Sequence, residues 1–453
     1  MEGKEGKAKK RTSAKTLQTA REASYFGKKM LANTRAAVEE GRPAAWAMVD
    51  WWLGVPICKA MGVEMVFPEN YGALCAATRT AEPNLEYSEM DGFPNTLCGY
   101  ARNGLGFARK LKENNYVIPP DSPGGGLPKP NFLLGCGAVC DARYKWFQAM
   151  GRYMDVPVWM LEFPQVGYKE YYLEGNKEKT IKYLVAELKA FVSFLENLLQ
   201  KKLDMDKLSE LVDTMFQTNK LAHEVDLLRK AVPSPMVSPD FWAVMTAHFY
   251  LADDKEALAF YQRVYDEVKH KVDNKIGAIP KEKYRMLFAE LPPWHTLGFF
   301  DEMAEKHGIA FVFESWNYHV PSPLSAEERH GVSDPLELLA RFSYHKFHEW
   351  APIAREHDID PIIFVAPYLN YVKEYRADGL MGHPLLSCRP ATYTLMHVRN
   401  LLMEKFKVPA VIVEGDIIDL RVFNEEEAYT KMDAFIETMD YHRELRKKAG
   451  LDW

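Results

Sequence analysis

Short apolar runs alternate with longer amphipathic segments along the whole chain, and this pattern restricts the fold more than any other feature. Strands that alternate with helices of this length pair in parallel, because each helix carries the chain back across the sheet. We therefore predict an α/β protein with two doubly wound, flavodoxin- or Rossmann-like parallel-sheet units and a helical block between or upon them. The predicted strands are 46–49, 64–67, 132–134 and 156–161 in the first unit, and 285–290, 309–313, 362–365 and 410–413 in the second, with a final helix over 425–439.

Charge and helical periodicity suggest where these units begin and end. The first 25 residues are rich in Lys and Arg and poor in large apolar residues, which is typical of a flexible basic tail. An uninterrupted charged helical pattern runs from 176 to 280. We therefore predict a basic tail (1–25), an N-terminal α/β domain (26–175), a helical segment (176–280) and a C-terminal α/β domain (281–453).

The composition excludes several classes of protein. Net charge is −6, with 47% hydrophobic and 26% charged residues, so we expect neither a nucleic-acid nor a membrane partner. No apolar run reaches the roughly 18 residues that suggest a membrane span. The six cysteines are too few for a disulfide framework in a chain of this length, and no export signal precedes them. We expect a cytoplasmic protein with reduced thiols.

Three cysteines occupy positions suited to a metal centre. Cys140 follows a predicted strand and opens a helix, and Cys388 precedes Pro390, a residue favoured in the first helical turn. Cys98 follows Asn95 and Thr96, which are good N-caps. A helix N-terminus favours the thiolate form that binds metals, and ligands of open α/β sheets bind at the carboxyl ends of strands. Three thiolates without a histidine indicate an iron–sulfur centre rather than a catalytic zinc.

The alternative is that these cysteines are buried structural thiols, because their spacing matches no known metal motif. Cys58 and Cys75 lie in apolar helical patterns, and we interpret them as structural. Cys136 stands four residues before Cys140 and could be a fourth ligand, a wall of the pocket or inert. We predict that it does not bind iron. No GxxxxGK[ST] loop and no strand-linked GxGxxG is present, so ATP or NAD binding by this chain is not expected.

Around these cysteines the chain resembles the 2-hydroxyacyl-CoA dehydratase/benzoyl-CoA reductase family. In this family a cluster cysteine stands five residues before a Lys-Trp pair. That spacing matches Cys140, which precedes Lys145 and Trp146, rather than Cys136. Leu420 departs from the proline that the family usually has. The similar segments are FPENYGA (67–73), LCGYARNGLG (97–106), LPKPNFLLGCGAVCDARYKWF (127–147), EYRADGLMGHPLLSCRPATYTL (374–395) and VPAVIVEGDIIDLRVFNEEEAYTKMDAFIE (408–437).

The resemblance implies a [4Fe-4S] cluster bound by Cys98, Cys140 and Cys388. The segment 282–294 and the length are most similar to the larger cluster-bearing subunit of ATP-dependent benzoyl-CoA reductase. That implies a heterotetramer with a homologous smaller cluster-bearing subunit and with ATP-hydrolysing activator subunits that carry a second cluster. Reduced ferredoxin would donate two electrons, and an aromatic acyl-CoA would be reduced to a cyclic diene thioester.

Two other functions remain open within this resemblance. The chain could be a subunit of a [4Fe-4S] (R)-2-hydroxyacyl-CoA dehydratase, or a reductase with a double-cubane cluster that would also need Cys75 and Cys136. The candidates for proton transfer are His319, His383 and Glu69, since each stands in a segment expected to follow a strand. Each could equally be an ordinary loop residue.

Overall fold

The computed structural model describes residues 12–49, 52–137, 140–314, 320–360, 362–451 and 453. In this part of the chain, eight strands form two four-stranded sheets in which every pairing is parallel. The predicted α/β class with two parallel-sheet units is therefore confirmed. The strands are β1 (Ala44–Ala47), β2 (Glu64–Val66), β3 (Phe132–Cys136) and β4 (Val158–Leu161), then β5 (Tyr284–Ala289), β6 (Ile309–Glu314), β7 (Gly379–Gly382) and β8 (Ala410–Ile412).

The two sheets have the same strand order. The first runs β2-β1-β3-β4 and the second β6-β5-β7-β8, so in each sheet the chain reverses its direction of growth beside the first strand. Loops that leave the two central strands diverge at this point and open a crevice at the carboxyl ends. The central strands are buried along their whole length, as expected for parallel sheets covered by helices on both faces.

The helices of the first unit and of the helical block form one packed body. α1 and α2 contact α11, and α1 also contacts α12, so the N-terminal segment packs on the helical block. The helices are α1 (Gln18–Glu22), α2 (Ser24–Glu39), α3 (Val55–Ala60), α4 (Pro68–Ala77), α5 (Glu82–Met90), α6 (Gly99–Glu113), α7 (Ala142–Met154), α8 (Tyr168–Tyr171), α9 (Asn176–Leu199), α10 (Met205–Leu228), α11 (Ser238–Leu251) and α12 (Lys255–Asp273).

The second unit carries the remaining helices. None of the helices in the described part of the chain combines the length and apolarity that crossing a membrane requires. They are α13 (Gly298–His307), α14 (Ala326–Arg329), α15 (Pro335–His348), α16 (Ala351–His357), α17 (Ile362–Glu374), α18 (Arg389–Tyr393), α19 (Leu395–Phe406) and α20 (Glu425–Lys448).

Three local predictions were wrong. The run 362–365, predicted as a strand, opens helix α17, because a fully buried helix can be as continuously apolar as a strand. The strand paired at that place in the sheet is β7, whose two glycines weakened its signal. The final helix continues beyond 439 to Lys448.

The expected tail also differs from the structure where residues are described. Helices begin at Gln18, and Leu17 and Ala23 are fully buried, because their apolar side chains pack into the main core. The division of the chain at 26, 176 and 281 stays a prediction.

A buried ion pair fastens the helical block to the second sheet. Arg229, at the end of α10, donates from Nη1 and Nη2 to the two carboxylate oxygens of Glu314, the last residue of β6, at 2.6 and 2.7 Å. Both side chains are fully buried. Such a pair contributes little net stability against an apolar pair, but losing one partner leaves a charge buried without compensation.

We expect Arg229→Met to lower the free energy of unfolding by about 3–5 kcal/mol, because the Glu314 carboxylate would lose its partner. Adding Glu314→Leu should recover part of that loss, because Asp226, 3.4 Å from Arg229 Nη1, would still lack this partner. The measurement is urea unfolding followed by circular dichroism. Arg263→Met is the control, since its ion pair with Glu22 is exposed and exposed pairs contribute at most about 1 kcal/mol. Equal losses in the single and double variants would contradict this account.

Candidate functional site

Cys98, Cys140 and Cys388 each stand at the start of a helix. Cys98 is the N-cap residue of α6, and Cys388 is the N-cap residue of α18. Cys140 lies one residue before Asp141, the N-cap of α7. The predicted caps Asn95 and Thr96 were therefore placed too early, because the cysteine itself occupies the cap position.

Backbone amides of the first helical turn are directed at each sulfur. The backbone amides of Tyr100 and Ala101 lower the pKa of the Cys98 thiol. The amide of Arg143 acts in the same way on Cys140, and that of Ala391 on Cys388. Free amides at a helix N-terminus stabilise negative charge, so three positively polarised helix ends meet the three sulfurs.

The structure brings these three thiols together from distant parts of the chain. Burial, with a smaller contribution from the neighbouring Cys140, raises the pKa of Cys98 to about 12. Burial also raises the pKa of Cys388 well above its ordinary value, with added repulsion from Cys98 and Cys140. Two ionised thiols affect each other's pKa in this way only at short range. Two of the three segments precede the second unit and one belongs to it, so the thiols meet where the units face each other.

The thiol pKa values differ from the expectation that a helix N-terminus would lower them. The amide hydrogen bonds do lower the pKa of each thiol, but burial acts in the opposite direction and is larger. Three thiols in this environment are therefore protonated at neutral pH. Thiolates would require a compensating positive charge, which a bound metal centre supplies.

A single metal ion and a metal cluster need their ligands at different spacings. Among the described residues, no three His, Cys, Asp or Glu side chains are close enough to hold one metal ion. Tetrahedral coordination with sulfur at about 2.3 Å would place the sulfur atoms about 4 Å apart. In an iron–sulfur cluster each thiolate binds its own iron, so a wider triangle of cysteines is suitable. Three cysteines without a histidine are the ligand type that an iron–sulfur cluster takes.

The carboxylate of Asp416 holds two of the cysteine segments together. Ser387 donates to Asp416 Oδ2 from its N–H at 3.1 Å and also from its hydroxyl group. The N–H groups of Ile418 and Asp419 donate to Oδ1, each at 3.1 Å. The Ser387 hydroxyl accepts in turn from Gly99 N–H at 3.0 Å. Asp416 and Ser387 thereby join the residue after Cys98 to the residue before Cys388.

Gly99 is required by this close contact. A Cβ atom at position 99 would lie 2.8 Å from Asp416 Oδ1 and 3.0 Å from Ile418 Cβ. Any other residue would push the start of α6, and with it Cys98, away from the second unit. Next to it, Tyr100 accepts a hydrogen bond from Trp294 Nε1 at 2.7 Å, which also links the two units.

A buried arginine adds a third link. Arg102, on α6, donates to Asp419 at 3.1 Å and to Glu89 at 2.9 Å. Arg421 also donates to Asp419, at 2.7 and 2.8 Å, and to Glu89 at 2.6 Å. The Arg102 and Asp419 side chains are almost completely buried, so this network is shielded from solvent at its centre. It orients the helix that begins at Cys98.

Glu69 is placed beside the thiols. It lies in the first turn of α4 and is buried, with its Oε1 3.9 Å from Arg143 Nε. Its charge contributes to raising the pKa of Cys140, after the larger effect of burial. A catalytic role for Glu69 stays a prediction, but its location next to Cys140 and Arg143 is compatible with one.

Glu290 is a candidate that the sequence did not reveal. It directly follows β5, is buried, and contributes to raising the pKa of Cys388. Its φ of 83° lies in the left-handed region, which is unusual for a residue with a side chain and is often found at functional sites. Burial raises the pKa of Glu290 well above its ordinary value, which favours the protonated carboxyl group. The sequence offered a weak signal, an acidic residue at the end of an apolar strand.

The histidine candidates have different outcomes. His319 lies outside the described residues. His383 follows β7 and is fully buried, with Nδ1 2.8 Å from the Leu291 carbonyl oxygen. Burial lowers the pKa of His383 to about 4, so the imidazole is neutral. Its Nε2 atom has no hydrogen-bond partner among the described residues, and its role as a proton donor stays a prediction.

The other cysteines lie in the cores of elements. Cys58 and Cys75 are fully buried in α3 and α4, which agrees with a structural role. Cys136 ends β3, where its N–H contacts Met48 Sδ at 3.2 Å. Burial raises the pKa of Tyr144, and Glu162 and Cys136 add to that rise, so the Cys136 thiol lies beside this phenol.

Comparison with known proteins finds relatives along most of the chain. A sequence model of the family described as "2-hydroxyglutaryl-CoA dehydratase, D-component" matches residues 54–439. The chain is 23% identical to the (R)-2-hydroxyisocaproyl-CoA dehydratase alpha subunit of Clostridioides difficile, over 92% of this chain and 95% of the relative. It is 25% identical to the (R)-phenyllactyl-CoA dehydratase alpha subunit of Clostridium sporogenes, over 89% and 91%. Identity to a benzoyl-CoA reductase subunit of Thauera aromatica is 23%, over 79% of each chain.

Substituting Cys136 and Cys140 one at a time should show which of them binds iron and which only lines the pocket. We expect Cys140→Ala to lose most of the iron after anaerobic reconstitution, because one of three thiolates is removed. Cys136→Ala should keep the wild-type iron content, since its thiol is directed toward Tyr144. The measurement is iron and acid-labile sulfide per chain. Equal loss in both variants would show that the choice of Cys140 over Cys136 is wrong.

Asp416→Asn should weaken cluster retention by about 10- to 100-fold, the usual effect of changing a residue that orients metal ligands. The amide cannot accept all four hydrogen bonds that the carboxylate accepts. Cluster loss is measured as iron release to a chelator, and folding by thermal denaturation of the apoprotein. Asp273→Asn is the matched control, because Asp273 forms an exposed ion pair with Lys269 at 2.8 Å. Wild-type retention in Asp416→Asn would contradict the positioning role.

Proposed function

The chain belongs to the 2-hydroxyglutaryl-CoA dehydratase D-component family, and on this premise we propose that it is the cluster-bearing alpha-type subunit of an (R)-2-hydroxyacyl-CoA dehydratase. The observation that carries the proposal is the meeting of Cys98, Cys140 and Cys388 at three helix N-termini. Three protein thiolates would hold a [4Fe-4S] cluster, which supplies a redox centre with one iron free of protein ligands.

This proposal revises the expectation of a benzoyl-CoA reductase subunit. The dehydratase alpha subunits align over about nine-tenths of this chain, whereas the benzoyl-CoA reductase subunit aligns over 79%. The segment 282–294, which favoured the reductase, forms β5 and the loop that carries Glu290 and Trp294. That segment serves the architecture of the site, so it does not by itself distinguish the two reactions.

Dehydration breaks the bond from C2 to the hydroxyl group and a C–H bond at C3, and releases water and a 2-enoyl-CoA. Both a proton acceptor and a proton donor are therefore needed near the cluster. We assign the donor to Glu290, because it is buried, its burial favours the protonated carboxyl group, and its charge contributes to raising the pKa of Cys388. Glu69 is the candidate acceptor, since Arg143 lies beside it and favours its ionised form. His319 and His383 stay as alternative groups for either role.

Burial of these groups also serves the reaction. Glu69, Glu290 and His383 are each less than about a tenth exposed, and Cys98, Cys140 and Cys388 are half-buried. A site that excludes water strengthens the effect of each charge and protects a strongly reducing centre from protons. This requirement is common to the dehydratase and the reductase.

The relatives described above are all named as subunits, so proteins of this family work with partner subunits. For this chain we propose a homologous second cluster-bearing subunit and an ATP-hydrolysing activator, with reduced ferredoxin as the electron source. The similarity to the benzoyl-CoA reductase subunit keeps ring reduction of an aromatic acyl-CoA as the second candidate. A double-cubane reductase has less support, because Cys75 lies within the core of α4.

The two reactions can be separated by their demand for ATP. We expect the anaerobically purified complex to convert an (R)-2-hydroxyacyl-CoA to the enoyl-CoA after sub-stoichiometric ATP, because dehydration consumes no net electrons. Glu290→Gln should lower kcat by about 100-fold or more, as loss of a general acid does, with iron content unchanged. The assay follows enoyl-CoA by its absorbance. Loss of aromatic absorbance from benzoyl-CoA in proportion to ATP hydrolysed would establish the reductase instead.

A further inference from the structure

A large cavity lies in the second unit at the end of the sheet opposite to the cluster site. Its volume is about 580 Å³, and its walls include Tyr284 and Ile309, the first residues of β5 and β6. Glu290 follows the other end of β5, so the length of the strand, roughly 17–20 Å, separates the two places. Cavities of about 300–1,000 Å³ are the usual size for small-molecule sites.

Most of the cavity wall is apolar. Val237, Ile279, Phe300, Phe311 and Ile436 line it. These side chains come from the start of α11, the loop before β5, helix α13, strand β6 and helix α20, so the helical block and the second unit both contribute to the apolar surface. A hydrocarbon or aromatic body would gain by burial against such a wall.

The acidic residues nearest the cavity are already occupied by donors of the N-terminal segment. Asp301 accepts from Ser13 Oγ and from the N–H of Ala14, both at 2.7 Å. Asp240 accepts from the N–H of Thr16 at 2.6 Å. Glu305 also lines the cavity, and it too has a polar or electrostatic contact with another residue.

The cationic residues of the wall differ in their contacts, and Lys283 lies over the Tyr284 ring with its Nζ 4.7 Å from the ring centroid. Lys306 and His307 pair with Asp433 at 2.6 and 2.7 Å. Lys15 and Lys281 also line the cavity, and neither ammonium group forms a hydrogen bond or an ion pair with a described residue. The charge left uncommitted in the cavity is therefore positive.

Lys15 is fixed in place between the two acidic contacts. Its neighbours Ala14 and Thr16 are bound by Asp301 and Asp240, and its own φ of 58° lies in the left-handed region. Burial lowers the pKa of Lys15, and the more distant charges of Asp240 and Asp301 offset that effect only in part. The ammonium group is therefore poorly solvated, and an anion in the cavity would compensate its charge directly.

We propose that this cavity is a second ligand site, which binds a small organic acid by its carboxylate at Lys15 and by its apolar body against the wall around Phe300. The ligand class follows from the pairing of uncommitted positive charge with an apolar surface. The site is independent of the cluster and of the proposed dehydration. A negative result for ligand binding in this cavity would therefore leave the proposed dehydration untouched, and a negative result for dehydration would leave this site untouched.

Calorimetry on the full chain, with any partner subunits that accompany it, tests the proposal. Hexanoate is the probe, inorganic phosphate represents the anionic head alone, and 1-hexanol represents the apolar body alone. We expect hexanoate to bind with a Kd on the order of 0.1–1 mM, as is usual for ligands of this size. Phosphate and 1-hexanol should each bind at least about tenfold more weakly.

Two variants and a control locate the binding. Lys15→Met should weaken hexanoate binding about tenfold or more, since a charge-assisted hydrogen bond is lost. Ala304→Phe should abolish binding by filling the cavity, because Ala304 lies in its wall. Lys179→Met, an exposed lysine on α9, should bind as the wild type does. Without ligand, Lys15→Met should be at least as heat-stable as the wild type, because a poorly solvated charge has been removed.

Three results would overturn the proposal. One is the absence of saturable hexanoate binding by the wild type, and another is undiminished binding in both Lys15→Met and Ala304→Phe. The third is phosphate binding as tight as hexanoate binding, which would mean a site for inorganic anions. Iron content should be the same in all these variants, so a change in binding is not a consequence of cluster loss.

Discussion

The Asp416 carboxylate is the contact on which the geometry of the cysteine site depends. It accepts four hydrogen bonds from residues of the second unit, and through Ser387 it reaches the backbone of Gly99 in the first. The two cysteines beside these residues are thereby held at a fixed separation. The third cysteine is positioned by the contact of α6 with α7, where Gly104 allows the Trp146 ring to approach closely. A cluster bridging two halves of a protein needs such rigid links, because its ligands cannot move toward it without cost.

Burial and backbone amides act against each other on the pKa values of the three thiols, and burial has the larger effect. Three helix N-termini direct N–H groups at the sulfurs, yet burial keeps the thiols protonated in the absence of positive charge. The same burial favours the protonated form of Glu290 and keeps His383 neutral. The site is therefore uncharged in most of its groups until a cluster introduces charge. A reducing centre in such surroundings is shielded from water, which suits reactions that pass through a radical or a strongly reduced state.

The cysteine segments indicate which cofactor to expect, but they do not distinguish between the two reactions. Dehydratases and ring reductases of this family resemble each other at the cluster segments, so the sequence around Cys98, Cys140 and Cys388 favoured both. The extent of alignment favours the dehydratase. The residues that would distinguish the reactions touch the acyl group, and the candidates among them, Glu69 and Glu290, are ordinary carboxylates in the sequence. Only their burial and their place at the ends of elements set them apart.

Local patterns in the sequence determined the α/β class, most of the strands and the placing of three cysteines at helix starts, because periodicity, proline and cap preferences are properties of neighbouring residues. They failed at β7 and at 362–365, where burial on all sides removes the periodicity that separates a strand from a helix. The tertiary structure alone decided that Asp416 joins Ser387 to Gly99, that Glu290 lies near Cys388, and that Lys15 faces a cavity. Each of these contacts links residues far apart in the chain, and such a distance is set by the packing of whole elements, which no local pattern contains.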